Sequence, residues 1–205
     1  MRPANEKAAT KAAQRLGRAG LEAAENMKSL MQGVTGAVAL TLALTLALAG
    51  TATAQVSTDR VGANEAWSIF APQETPPVCW GVSAPKESVN TKGGKPTQVR
   101  RGDILLFVTF QVGKAGEVSF SGGYPFAPGS TVALDVSGTA FDLVTDGEWA
   151  WAGSTEDDAK IIAAMKAGST AVLSAHSAKG TDTKDTFSLS GFSATLDEAA
   201  KRCAG

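Results

Sequence analysis

Short extended segments dominate the chain between Trp67 and Leu189. Runs such as Trp67 to Phe70 and Val78 to Val82 are rich in aromatic and β-branched residues and are separated by glycine- and proline-bearing turns. Later runs such as Thr131 to Val136 alternate apolar and polar residues, as strands with one buried face do. About nine or ten such runs predict an all-β fold, a β-sandwich of short antiparallel strands.

Two segments depart from this pattern and have helical periodicity. Ser154 precedes acidic residues in a predicted first turn, where a hydroxyl cap and negative charge stabilise a helix. An apolar stripe follows as far as Met165, and Gly168 marks the end. A second helix is expected from about Ser193 to Cys203. The sandwich should therefore carry one helix after the Trp149/Trp151 strand and one at the C-terminus.

The N-terminal quarter has the layout of a secretory signal. Residues 1–33 contain six Lys or Arg and three Glu, an apolar run follows from Val34 to Ala49, and small residues include Ala52 and Ala54. This order predicts a signal peptide over residues 1–54 with a long basic region, cleaved after Ala54. The sixteen-residue run is shorter than the roughly 20 residues of a membrane-spanning helix. A start at Met27 would give a signal of ordinary length.

Cleavage would leave a short flexible segment, 55–66, and a single domain, 67–205. Without residues 1–54 the chain has 13 Lys and Arg against 17 Asp and Glu, which argues against a nucleic-acid partner. The single histidine does not suffice for a multi-histidine metal site, so we expect no metal and no cofactor. No stable membrane span is expected once the signal is removed.

Export would determine the chemical state of the two cysteines, Cys79 and Cys203. In an oxidising compartment a pair of thiols in one domain most often forms a disulfide. The alternative is a catalytic thiol, for which His176 is the only histidine available as a partner.

His176 itself permits a second interpretation. It lies near Ser174, Ser177 and Asp182, so a hydrolase arrangement is conceivable, although no Gly-x-Ser-x-Gly motif is present. A surface histidine at the end of a strand is the simpler interpretation.

Several residues form a candidate recognition surface. Trp149 and Trp151 are two apart on one predicted strand, so both side chains lie on the same face. Their size favours the core, whereas a solvent-facing pair would make a platform for a partner, and Tyr124 has the same two interpretations. The polar loop that contains Lys179, Thr181 and Asp182 adds hydroxyls and charges, although turn chemistry also explains it.

Motifs in a fixed order carry a family resemblance. They are Cys79-Trp80, 101–110, 116–120, 123–126, Ala150-Trp151, Ala164-Met165, 177–192 and Cys203. Together they resemble the invasion-associated locus B family of alphaproteobacteria, and the run Ser-Ala-Lys-Gly-Thr through Ser-Gly-Phe, 177–192, is the most specific. The resemblance extends from about Trp67 to the C-terminus. Lys179 stands where the family pattern has arginine, and the segment before Met27 is longer than usual.

The resemblance implies an exported Gram-negative envelope protein with a β-sandwich body, and no catalytic residue is carried over with it. We therefore expect a non-enzymatic binding or interaction protein of the periplasm or cell envelope. Its partner would be an unknown envelope component, protein or glycan, and its oligomeric state is open. The alternatives are a surface or secreted factor in host-cell interaction and, second, an envelope hydrolase.

Overall fold

A computed structural model describes residues 59–73 and 75–203. The predicted signal peptide and its cleavage residues, Ala52 and Ala54, lie outside them. The described residues form β1 Arg60–Asn64, β2 Trp67–Phe70, β3 Val78–Ser83, β4 Glu87–Lys92, β5 Lys95–Pro96, β6 Leu105–Gln111, β7 Glu117–Ser121, β8 Thr131–Val136, β9 Thr139–Asp146, β10 Trp149–Ala152, α1 Thr155–Ala167, β11 Thr170–His176, β12 Asp182–Ser188 and α2 Phe192–Cys203.

The strands of the described part make one twelve-stranded sheet in the order β1-β2-β3-β6-β7-β10-β9-β8-β11-β12-β4-β5. Every neighbouring pair is antiparallel. The predicted antiparallel β fold with one helix after β10 and one at the C-terminus is confirmed. The strand number is higher than predicted because short, polar strands such as β4 and β5 form by pairing, without an apolar pattern of their own.

Strand β1 lies in the segment 55–66, for which the sequence predicts a flexible terminus. Its backbone pairs with β2 along Arg60–Asn64. The side-chain amide of Asn64 also donates to the hydroxyl of Thr195 in α2, at 3.2 Å. These contacts extend the ordered sheet to the start of the described residues.

The sheet folds over so that one face packs against itself. The rings of Phe120 in β7 and Phe187 in β12, five places apart in the strand order, have centroids 6.2 Å apart. The indole N–H of Trp67 in β2 donates to the carbonyl of Ser188, at 2.9 Å. One continuous sheet thus supplies both layers of the sandwich, with an inner face that forms the core and an outer face.

The helices pack from the inner side. The hydroxyl of Ser154 accepts from the backbone N–H of Asp157 at 3.2 Å and caps α1 as predicted, and Gly168 ends the helix. Ile161 and Met165 enter the core, and the carboxylate of Asp158, which is 5% exposed, accepts from the backbone N–H of Val118 in β7 at 2.8 Å.

Helix α2 is covalently attached to the sheet. A disulfide joins Cys79 in β3 to Cys203 in the last turn, as the sequence predicts. The two sulfurs lie in a small apolar cluster with Ile69 and Ala199. The bond closes a separation of 124 residues, so it constrains nearly the whole described chain.

Candidate functional site

The two tryptophans of β10 lie on the outer face of the sheet. Their neighbours in the strand, Ala150 and Ala152, point inward and are buried, whereas Trp149 is 39% exposed and Trp151 is half-buried. The core interpretation, which residue size favours, is therefore wrong for this pair. Their rings lie nearly parallel, with centroids 6.2 Å apart.

A third ring reaches this pair across strand β7. In the sheet register Trp151 is opposite Ser119, which is opposite Phe107 of β6. The rings of Phe107 and Trp149 meet over β7, with centroids 5.6 Å apart. Because small serines occupy β7 between them, the large side chains from both sides close over it, and Ser119 is only 7% exposed.

The aromatic layer continues on β3 and β2. Trp80 of β3 is opposite Thr109 of β6 and is thus one diagonal position from Phe107. Trp80 and Phe70 of β2 stack with a centroid separation of 5.6 Å and an interplanar angle of 6°. We call Phe70, Trp80, Phe107, Trp149 and Trp151 the aromatic strip. It crosses five neighbouring strands, β2-β3-β6-β7-β10.

One end of the aromatic strip is acidic. In the register Val144 of β9 is opposite Trp151, and Asp146 is opposite Trp149. Asp142 is on the same face of β9, two residues before Val144. Val144 and both carboxylates are exposed, and Val144 has 58% of its surface accessible. The strip therefore ends in an apolar and negatively charged margin.

The predicted surface residue Tyr124 is elsewhere, on the inner side of the fold. Its hydroxyl is 2.5 Å from the hydroxyl of Thr183 in β12, and its ring edge contacts Phe126. The guanidinium of Arg101 lies over the ring, 4.9 Å from the centroid. Burial raises the pKa of the Tyr124 phenol above its ordinary value.

Arg101 belongs to a buried ion pair that the sequence does not reveal. Its guanidinium donates to both carboxylate oxygens of Asp185, at 2.8 and 2.6 Å, and to the carbonyl of Gly122 at 3.0 and 2.8 Å. The side chains of Arg101 and Asp185 are 6% and 0% exposed. A bidentate pair of this kind fixes geometry between distant segments, here the approach to β6 and strand β12.

The predicted residues Lys179, Thr181 and Asp182 lie at the end of the β11–β12 hairpin and do not join the aromatic strip. The carbonyl of Lys179 accepts from the ammonium of Lys92 at 3.0 Å. Thr181 is buried, and its backbone N–H donates to the hydroxyl of Ser177 at 2.9 Å. The bond between Thr181 and Ser177 is local, as turn chemistry would give, whereas the bond from Lys92 joins the hairpin end to β4.

His176 is at the same end of the hairpin and is half exposed. Its Nδ1 lies 2.7 Å from a carboxylate oxygen of Asp182. The buried Ser177 hydroxyl accepts from a backbone N–H instead of contacting the imidazole. Among residues 59–73 and 75–203, no serine hydroxyl is hydrogen-bonded to His176.

Two further observations concern the described ranges only. No group of three or more His, Cys, Asp and Glu residues in them is arranged to hold a metal ion. Likewise, no helix in them has the length and apolar character needed to cross a membrane.

The described residues therefore form an antiparallel β protein whose single sheet folds over on itself, with two helices, one disulfide and an aromatic outer face. The family model described as "Invasion associated locus B (IalB) protein" matches residues 106–200 of this chain. The resemblance inferred from the motifs is confirmed over that range.

A solved structure also resembles the chain. It is the "Crystal structure of invasion associated protein b from bartonella henselae", which is 18% identical, covers 68% of this chain and 95% of its own, and superposes with a TM-score of 0.46. No curated protein gives a significant match.

Proposed function

We propose that the protein is an exported, non-enzymatic interaction module of the periplasm or cell envelope, and that the aromatic strip is its interaction surface. The observation that carries the proposal is the placement of five large aromatic side chains in a continuous band on the outer face of the sheet. Aromatic residues dominate binding energetics, and exposed apolar bands on soluble domains commonly serve recognition.

The helices leave this face uncovered because they pack against the opposite one. Thr195 of α2 lies against Gly81 of β3, and Ile162 of α1 lies beside Gly116, as does Val108 of β6. Gly81 and Val108 are inward positions, alternating with Trp80 and Phe107 of the strip. The aromatic strip is therefore available to another molecule.

The alternative hydrolase arrangement has weaker support. Ser177 is buried and its hydroxyl is engaged by the backbone of Thr181, whereas a nucleophile needs a base within hydrogen-bond reach. The His176–Asp182 pair is exposed at the end of a hairpin. Export is supported by the signal-like pattern of residues 1–54.

Co-sedimentation with an isolated envelope fraction tests the proposal. The protein and the variants Trp149→Ser and Trp151→Ser are mixed with washed envelopes, and Val89→Ser, which alters an exposed valine of β4, serves as the matched control. We expect the unaltered protein and the control to pellet and both tryptophan variants to remain in the supernatant. Equal pelleting of all four proteins, or pelleting of none, contradicts the proposal. Release by osmotic shock tests the periplasmic location separately.

A further inference from the structure

We infer that the aromatic strip binds a cationic, extended polypeptide segment of a partner protein. This inference rests on the proposed function, because it names the class of partner for the same surface. Three features of the strip lead to it: its shape, its charge and the combination of rings with carboxylates.

The shape fits a single extended chain. Five neighbouring strands at about 4.8 Å spacing give a length of roughly 19 Å, and two alternate positions along a strand give a width of about 7 Å. An extended peptide, with a rise of about 3.3 Å per residue, would cross the strip in roughly six residues. A second copy of the folded chain would need to bury about 800 Å² on each partner, far more than this narrow band offers.

The charge at the Trp149 end favours a cation. Asp142 and Asp146 lie on the outer face, and Glu148 is in the turn that precedes Trp149. In the described part of the chain none of these three carboxylates is held in an ion pair or side-chain hydrogen bond. An anionic polymer would be repelled here, whereas Lys and Arg side chains would be attracted.

The rings and the carboxylates act on the same group. An ammonium or guanidinium ion is attracted by the π face of an electron-rich indole and by a neighbouring carboxylate at once. Trp149 is opposite Asp146 in the register. Trp151 is opposite Val144, so Asp142, two residues before Val144, is at a diagonal position to Trp151. This pairing would select a basic side chain at the β10 end, while Phe107, Trp80 and Phe70 would bind apolar side chains farther along.

Tryptophan fluorescence gives a direct test, because three of the four tryptophans, all but the buried Trp67, are on the strip. The purified, oxidised protein is titrated with a capped octapeptide of alternating arginine and serine. A peptide of alternating glutamate and serine and the neutral sugar cellohexaose are the comparison probes. We expect saturable binding of the arginine peptide, weakened by added salt, and no comparable signal with the other two.

Variants separate the two parts of the site. Trp149→Leu keeps an apolar side chain but removes the indole, and should weaken the arginine peptide by about tenfold. The double variant Asp142→Asn with Asp146→Asn keeps the shape of the surface and should weaken binding of the arginine peptide by about threefold. Glu87→Gln, which removes an exposed carboxylate from β4, is the matched control and should leave binding unchanged. Circular dichroism confirms that each variant is folded.

The outcomes distinguish this inference from the proposed function. Binding of the glutamate peptide, or unchanged binding in the Asp142/Asp146 variant, overturns the cationic partner. Binding of cellohexaose alone, lost in Trp149→Leu, overturns it too but leaves the strip as an interaction surface for a glycan. No binding of any probe also overturns it, and the envelope co-sedimentation then decides independently whether the strip has a partner.

Discussion

At the scale of single residues, Arg101 and Asp185 form a buried ion pair. Both side chains are almost completely buried, and the guanidinium also serves the carbonyl of Gly122 and the ring of Tyr124. Burying charges is costly unless they are paired with good geometry, and removal of one partner leaves the other uncompensated. This pair should therefore be sensitive to substitution of either member.

Replacing Arg101 with methionine should lower the free energy of unfolding by about 3–5 kcal/mol, since the buried Asp185 carboxylate loses its counter-ion. Denaturant titration measures the change. The double variant with Asp185→Leu should recover much of the loss, and Lys184→Met, at an exposed neighbour, is the control. A small effect of Arg101→Met alone would show that the pair is not buried in solution.

Tyr124 gives a pH-dependent prediction. Burial raises the pKa of its phenol in the folded state, so the folded chain holds this proton to higher pH than the unfolded chain. The stability from this group is therefore complete below pH about 10 and falls as the pH rises through the folded pKa. Tyr124 is the only tyrosine, so ultraviolet titration of tyrosinate observes it alone. An ordinary tyrosine titration in the folded protein would contradict the buried environment.

The sequence reveals little of this residue-level arrangement. Thr181, Thr183, Asp185 and Phe187 are buried and alternate with exposed or half-buried residues, which identifies one face of β12 as inward. This alternation does not show that a carboxylate on the inward face contacts Arg101, 84 residues earlier, because the contact depends on how the sheet folds over. The period of two along β12 is the only sequence signal that could have identified Asp185 as an inward residue.

At the scale of elements, local signals predicted both helices. The Ser154 cap, the acidic first turn and Gly168 are all within one short segment, so no distant contact is needed to place α1. Strands β1 and β5 lack such signals, since their residues are mostly exposed and their order comes from pairing with a neighbour. Element prediction thus succeeds where the determinants are local.

The attachment of α2 by the disulfide leads to a prediction at this scale. Replacing Cys79 and Cys203 by alanine should lower the free energy of unfolding by up to about 5 kcal/mol, because the closed loop is long. Hydrogen exchange of the α2 amides should then accelerate more than hydrogen exchange of the α1 amides, because the attachment of α1 does not involve the disulfide. Equal acceleration in both helices, or none in α2, would contradict this role.

At the scale of the whole molecule, the folding-over of the sheet decides which face of each strand is inward and which is outward. The alternation of Trp149 and Trp151 with Ala150 and Ala152 predicts two faces but not which is inward. In the structure the alanines fit the crowded interior beside Phe120, and the tryptophans lie outside with Phe107. Predicting this requires the packing of both layers, so the sequence identifies the aromatic strip only in part: Trp149 and Trp151 are on it, whereas Tyr124 and Thr181 are elsewhere.

The same arrangement explains why the strip is a property of the whole fold. Its five residues come from four strands that are spread over residues 67–152, and β7 contributes only the small serines beneath the rings. Loss of the fold would separate them, whereas single changes on the outer face should leave the core intact. A surface of this kind can be tested by asking which residues a partner covers.

Hydroxyl-radical footprinting of the protein with and without the washed envelope fraction is the most direct test of the central claim. Tryptophan side chains report their own exposure through oxidation, and mass spectrometry locates the modified residues. We predict that envelopes protect Trp149 and Trp151 from oxidation while His176, at the end of the β11–β12 hairpin, remains equally reactive. Protection of His176 with unchanged oxidation of the two tryptophans would show that a different surface makes the contact.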